Sequence, residues 1–494
     1  MRYYSTRNKG IKATASQAIL KGIAEDGGLF VPEYFPKLPP MEKLILDDYR
    51  ELAFKILRLY LEDYSDEEIR QAVNGAYDEK FESEGIVPLK SAGGVYFLEL
   101  FKGPTLAFKD MALTILPYLL KTALIKQGEN REVVILTATS GDTGKAALEG
   151  FRDVQGTKVI VFYPENGVSE IQRLQMVTQR GENTFVAAVR GSFDDAQNGV
   201  KEMFNDKEFN DELKEKGLLL SSANSINIGR LLPQIVYYVY GYLRLVEHRA
   251  IELGDRINIV VPTGNFGNIL AAYYAMRMGL PIDRLICASN DNKVITDFFD
   301  SSIYDRRRKL IMTSSPSMDI LISSNLERYL FHMSKENDDT VSEKMRLLQE
   351  RGFYQWPKDN LGPVVSGMAG EQQISEAILK VWESDHYLMD PHTAIAYSVW
   401  EEYKEAVKDS RTTLIAATAS PFKFSGKVLS SIGEAKLDNE FKTMNKLGDL
   451  MGIQVPNKMR ELEILPVIHR TVCDKSFMED TVRSFLGGGD EEND

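Results

Sequence analysis

Along the first 95 residues, apolar positions recur at three- and four-residue spacing, in "SQAILKGIAEDGG" and again in "YRELAFKILRLYLEDYSDEEIRQAVNGAY". That period lines apolar side chains along one face of a helix, and it predicts a helical N-terminal domain over residues 1–95. Beyond it, short β-branched runs alternate with helical stretches: "VVILTAT", "KVIVFYP", "TFVAAVR", "INIVVPTG", "RLICASN" and "TTLIAATAS". This alternation predicts an α/β fold built on parallel sheets. Several runs are apolar at consecutive positions, as strands covered by helices on both faces require. One sheet is expected before about residue 235 and one after it. The division is therefore a smaller α/β domain over 96–235, a larger one over 236–430 and a C-terminal extension over 431–494, whose end "GGGDEEND" reads as disordered. "LLPQIVYYVYGYL" reads as a buried helix, and the polar "SSIYDRRRKLIMTSSPSMD" as a loop or insertion.

Composition narrows the class of function. A formal net charge of −13 argues against nucleic acid or an anionic membrane as the main partner, since both need a basic face. No apolar run approaches the roughly 20 residues of a membrane span, and "MRYYSTRNKG" has no apolar signal region. Cys287 and Cys473 form no CxxC pair, which fits a reducing cytoplasm. The five histidines, scattered without HxxxH or HExxH spacing, read as structural, and no metal site is expected.

Ligands in open parallel sheets bind beyond the carboxyl ends of the strands. Two of the loops found there are rich in glycine. "TSGDTGKAA" offers Ser140 and Thr143 hydroxyls and amides opened by Gly141 and Gly144; "PTGNFGN" brackets Asn265 and Phe266 between Gly264 and Gly267. Each leads into a helix, where unpaired amides and the helix dipole favour an anion. Each is also readable as a plain tight turn with a helix cap. Neither matches GxGxxG or GxxxxGK[ST], so dinucleotide and P-loop nucleotide binding lack their usual support. A third run, "SSANSINIGRLLPQ", brings Asn224, Ser225 and Arg230 together after a strand. It serves either as an anion site with a forked donor or as a helix cap with a surface arginine.

In "GPTLAFKDMA", Lys109 sits in an apolar setting. A nucleophilic lysine must be uncharged near neutral pH, and burial favours that form. Beside a phosphate-binding loop, such a lysine points to a carbonyl cofactor held covalently at one end and by its phosphate at the other. Pyridoxal phosphate is the candidate.

The ordered set "GLFVP", "GPTLAFKD", "TATSGDTG", "SANSINIGR", "PTGNFGN" and "ATASPFKF" resembles threonine synthase, a pyridoxal-phosphate enzyme of the tryptophan-synthase-β structural group. The resemblance runs from residue 1 to about 430. It implies the fold type II architecture, two parallel-rich α/β domains with the cofactor in the cleft. It makes Lys109 the Schiff-base lysine and gives the cofactor phosphate to Gly264, Asn265, Phe266, Gly267 and Asn268. Ser140, Asp142 and Thr143 would face the substrate carboxylate and the cofactor's phenolic edge. Asn224, Ser225 and Arg230 would take the substrate phosphate, and Thr418 would hydrogen-bond the pyridine nitrogen.

Two positions depart from that pattern: Ser420 and Lys102 stand where the family has histidine, and Lys102 is a candidate cation near the substrate phosphate. The activity implied is conversion of O-phospho-L-homoserine and water to L-threonine and phosphate, the last step of threonine biosynthesis. A threonine-synthase-like phospho-lyase giving 2-oxobutyrate, and a catalytically silent phosphometabolite-binding protein, are the alternatives. Whether the chain is a monomer or a dimer stays open.

Overall fold

The structure, a computed structural model, describes residues 1–83, 85–139, 141–357 and 361–487; of the expected disordered tail 487–494, all but Gly487 lies outside them. Two sheets organise the chain. The first runs in the order Thr471–Asp474, Thr184–Arg190, Thr157–Pro164, Glu132–Ala138, Leu218–Ser221, with every neighbour parallel. The second runs Val364–Met368, Ile282–Ser289, Ile257–Pro262, Thr413–Ala417, Val95–Glu99, Leu89–Ala92, parallel except for the last pair. Central strands such as Ile257–Pro262 and Thr413–Ala417 are buried at every position, because helices cover both faces.

The sheets cross the division read from chain order. Strands Leu89–Ala92 and Val95–Glu99 join the later sheet through a hairpin whose two connecting residues, Gly93 and Gly94, have φ of 57° and 77°. Positive φ at both positions is the demand of the hairpin turn that follows the strand twist. The extension likewise sends Thr471–Asp474 back to the edge of the first sheet. The N-terminal domain is not purely helical: Tyr3–Ser5, Lys12–Ala13 and Phe30–Pro32 form a small antiparallel sheet beside helices Ala15–Lys21, Tyr49–Arg58 and Asp66–Ala76.

Helix Ile228–Glu247 is buried along most of its length and packs against both the N-terminal helix Tyr49–Arg58 and helix Gly267–Arg277. It carries Arg230 at its first turn, so the core helix itself brings a charged side chain inward. Among the described residues no helix is long and apolar enough to cross a membrane.

Candidate active site

The segment around Lys109 is stitched to the end of strand Thr413–Ala417. Phe108 N donates to Thr418 O at 2.8 Å, Ser420 N donates to Leu106 O at 3.1 Å, and Ala107 bridges Ala419. Leu106 accepts a left-handed φ of 58° to make that turn. Asp110 locks it further, accepting from Thr105 N at 2.8 Å and Thr105 Oγ1 at 2.6 Å, and burial pushes the Asp110 carboxyl up to about 6 against those bonds.

Lys109 is therefore held on a rigid bridge rather than a free loop. It is 8% exposed, with Nζ 3.3 Å from Ser317 Oγ and 3.6 Å from Asp142 Oδ2. Burial, helped by the Lys423 and Arg230 charges, pulls its ammonium below the ordinary lysine range against the pull of Asp142.

Asp142 opens helix Asp142–Phe151 from Gly141, whose φ of 134° excludes a side chain in any case. Thr139 Oγ1 ties the turn, accepting from Gly141 N at 3.0 Å and Gly144 N at 2.9 Å. The Asp142 carboxylate meets Lys423 Nζ at 2.6 Å and Gln172 Nε2 at 3.2 Å. Burial pushes its pKa up, but the Lys423 and Lys109 ammoniums outweigh that and hold it far below the usual carboxylate range. Thr143 is half-buried at the same turn, and Ser140 lies outside the described residues.

The loop Gly264–Asn268 presents its backbone. Among the described residues, no group accepts from the amides of Gly264 to Asn268, and Phe266 takes a left-handed φ of 59° to open the helix behind them. Its side chains turn away. Asn265 is exposed and accepts from Ser324 Oγ, Phe266 packs 5.4 Å from Tyr329, and Asn268 accepts from Tyr237 OH at 2.7 Å and from Tyr238 OH. The Asn268 Nδ2 group is buried without a partner among the described residues. A methyl on Gly264 would stand 2.6 Å from Ser317 O, whereas one on Gly267 would meet Asn325 Nδ2 at 3.5 Å and Ser225 Cβ at 3.7 Å. Close approach thus makes glycine obligatory at 264 and only convenient at 267.

That last contact places the run Ala223–Arg230 beside the glycine loop. Asn224 and Ser225 are partly exposed, and Asn224 N donates to Ser222 Oγ at 3.1 Å. Arg230 is 3% exposed and makes no ion pair among the described residues; Nη1 donates to Ala223 O at 2.8 Å and Nε has no partner. Burial lowers its guanidinium to about 10. A buried cation without a carboxylate is costly unless an anion joins it.

The remaining expectations divide. Thr418 is buried, and its hydroxyl takes no partner among the described residues, while its amide donates to Thr393 Oγ1 at 3.3 Å. Lys102 does not stand as a free cation: Glu99 pairs with it at 3.1 Å. Ser420 contributes its backbone to the bridge at Lys109.

Side chains that the sequence did not single out complete the chamber. Ser317, from the stretch read as a loop, touches Lys109 and lies 3.4 Å from Asp142. His392 holds Ser317 in place. Its Nδ1 lies 2.7 Å from Asp390 Oδ1, which makes that the protonated nitrogen and leaves Nε2 to accept from Ser317 N at 3.3 Å. Arg328 joins three regions, donating to Phe30 O at 2.9 Å, Ile226 O at 2.5 Å and Asn325 Oδ1 at 2.5 Å, while Asn325 in turn donates to Asn265 O. The N-terminal domain is thereby fastened to both glycine-side loops.

Residues 2–77 match the family model for the threonine synthase N terminus, and residues 82–418 match that for pyridoxal-phosphate dependent enzymes. Threonine synthase of Pseudomonas aeruginosa is 39% identical over 88% of this chain and 91% of its own length. The chain belongs to the threonine synthase family of pyridoxal-phosphate-dependent enzymes. Within that family, the solved structure of pyridoxal-phosphate-bound threonine synthase from Brucella melitensis superposes with a TM-score of 0.84 at 35% identity, covering 98% of this chain and 99% of that one. The mouse protein named threonine synthase-like 1 is 41% identical over 86% of this chain, which spans 58% of that relative's length.

Proposed function

We propose that the chain converts O-phospho-L-homoserine and water into L-threonine and inorganic phosphate. The observation that supports this most strongly is the pair of separate anion positions around one buried lysine: among the described residues, the amides at Gly264–Asn268 have no acceptor and the buried Arg230 has no ion pair. A cofactor phosphate and a substrate phosphate require two such places.

The residues present fit the cofactor. Gly264, Asn265, Phe266, Gly267 and Asn268 would hold its phosphate through backbone amides, Lys109 would supply the amine, and the Thr418 hydroxyl, which has no partner among the described residues, would meet the pyridine nitrogen. A hydroxyl, unlike a carboxylate, would not hold that nitrogen protonated. Bound in this way, pyridoxal phosphate supplies an aldehyde and an electron-withdrawing ring that make the hydrogens on the substrate's Cα and Cβ removable.

The rest is the work of the chain. Lys109 would move the substrate's Cα proton as a general base. Asn224, Ser225 and Arg230 grip the substrate phosphate and stabilise it as it leaves. Ser140, Thr143 and the turn at Asp142 orient the substrate carboxylate. Ser317 and the His392–Asp390 pair behind it close the chamber floor.

A second reading, in which the same early steps end in 2-oxobutyrate, is carried because the chain is also similar to a protein named threonine synthase-like 1, which leaves the product open. Incubation of the cofactor-loaded protein with O-phospho-L-homoserine decides between them. Threonine in step with released phosphate is the expected outcome. 2-Oxobutyrate as the main product would install the second reading, and no phosphate release would leave a silent binder.

A further inference from the structure

Asp142 is the meeting point of two lysines, and they are not equivalent. Lys423 lies in the short turn Pro421–Phe424 with a fully buried side chain; its Nζ is 2.6 Å from Asp142 Oδ1 and donates to Thr105 O at 3.1 Å. Lys109 stands 3.6 Å from the other oxygen and shares a hydroxyl. The bridge between residues 106–108 and 418–420 carries both lysines, so their spacing is fixed by backbone rather than by flexible side chains.

Two buried ammoniums facing one carboxylate leave a net positive charge that a buried site compensates poorly. Lys423 has the shorter ion pair and a carbonyl acceptor as well, whereas Lys109 has only the longer contact and a shared hydroxyl. The other groups facing Lys109 do not reverse this. Arg230 adds a cation, Asp110 is committed to Thr105, and His392 acts one hydrogen bond away through Ser317.

We propose that Lys423 is a positioning residue, which holds Asp142 in a closed ion pair and so leaves Lys109 as the uncharged amine of the site. The proposal rests on the reading of Lys109 as the reacting amine. Asp142, in the same picture, is a neutralised member of the substrate-side turn and does not repel an incoming carboxylate as a bare anion would.

The test uses the full-length protein freed of cofactor: the pH dependence of Lys109 acetylation by acetic anhydride, read by mass spectrometry of its peptide. Lys423→Met leaves Asp142 facing Lys109 alone, so the midpoint should rise by about one pH unit, roughly a ten-fold loss of reactivity at pH 7. Lys423→Arg keeps the cation and should restore the wild-type midpoint. Asp142→Asn should move the midpoint the opposite way, and it carries the test by itself if Lys423→Met does not fold. A packing role alone would move none of these midpoints. No turnover or substrate is involved, so the result stands apart from product analysis, and wild-type Lys109 left unlabelled by borohydride with cofactor bound would break the underlying reading instead. A midpoint unmoved in Asp142→Asn, or unmoved or lowered in Lys423→Met, overturns the proposal.

Discussion

The loop Gly264–Asn268 and the run Ala223–Arg230 lie side by side, yet they offer an anion opposite things. The first turns its side chains to Ser324, Tyr329 and the tyrosines of the core, and leaves its amides free. The second brings one guanidinium into a buried place where, among the described residues, no carboxylate meets it. Backbone recognition depends on where the chain runs, so it should tolerate new side chains except where a Cβ cannot fit. Charge recognition depends on a single residue. The difference matches what each ligand demands in the proposed function: a resident cofactor needs a fixed cradle, and a transient substrate phosphate needs a strong contact that can be relinquished.

The largest expected effect lies between the two loops. Lys109→Ala removes the amine both anions are arranged around. Turnover should fall by about 10²- to 10⁴-fold or more, and borohydride should fix no cofactor at that peptide. A labelled peptide elsewhere in the wild-type protein would move the centre of the comparison.

Next comes the charge. Arg230→Ala should cost roughly 1.5 to 3 kcal/mol of O-phosphohomoserine binding, about 10- to 150-fold in affinity, in a titration followed by the cofactor's visible absorbance. Binding of threonine, which has no phosphate, should scarcely change.

The backbone loop should then separate its two glycines. Gly264→Ala drives a methyl to 2.6 Å from Ser317 O, on the residue that touches Lys109. About 1–3 kcal/mol of stability should be lost on thermal unfolding, together with cofactor affinity. Gly267→Ala, with its nearest contact at 3.5 Å, should change both far less. Smallest of all, Asn265→Ala should leave stability within about 0.5 kcal/mol, because its side chain is exposed. A larger loss at Asn265 than at Gly264 would mean that side chains, not amides, face the ligand.

How much of this was legible in the chain follows the same physics. Strands such as Ile257–Pro262 announce themselves because burial on both faces demands an unbroken apolar run. The three strands of the N-terminal domain are two or three residues long, too short for a period, and exist because their neighbours pair with them. Thr471–Asp474 is exposed at three of its four positions and owes its strand to the edge of a distant sheet. The pair Gly93–Gly94 was the available signal for the hairpin between Leu89–Ala92 and Val95–Glu99, which the reading from helix periodicity did not single out. In the site, local motifs carried Lys109, Asp142 and Arg230 to their places, since each sits at a strand end or a helix start. Ser317 and His392 depend on contacts 208 and 75 residues distant in sequence, which no local spacing encodes. Lys423 stood inside the motif "ATASPFKF", and a lysine set between two phenylalanines in an apolar run was the available signal.

The claim that two independent anion sites surround Lys109 meets its most direct test when cofactor affinity and O-phosphohomoserine affinity are both measured in Arg230→Ala and Gly264→Ala. The account predicts a crossed result: the arginine variant keeps the cofactor and loses the substrate phosphate, and the glycine variant loses the cofactor while its residual loaded fraction binds substrate phosphate as the wild type does. Equal loss of both ligands in either variant, or loss of neither in the arginine variant, would contradict it.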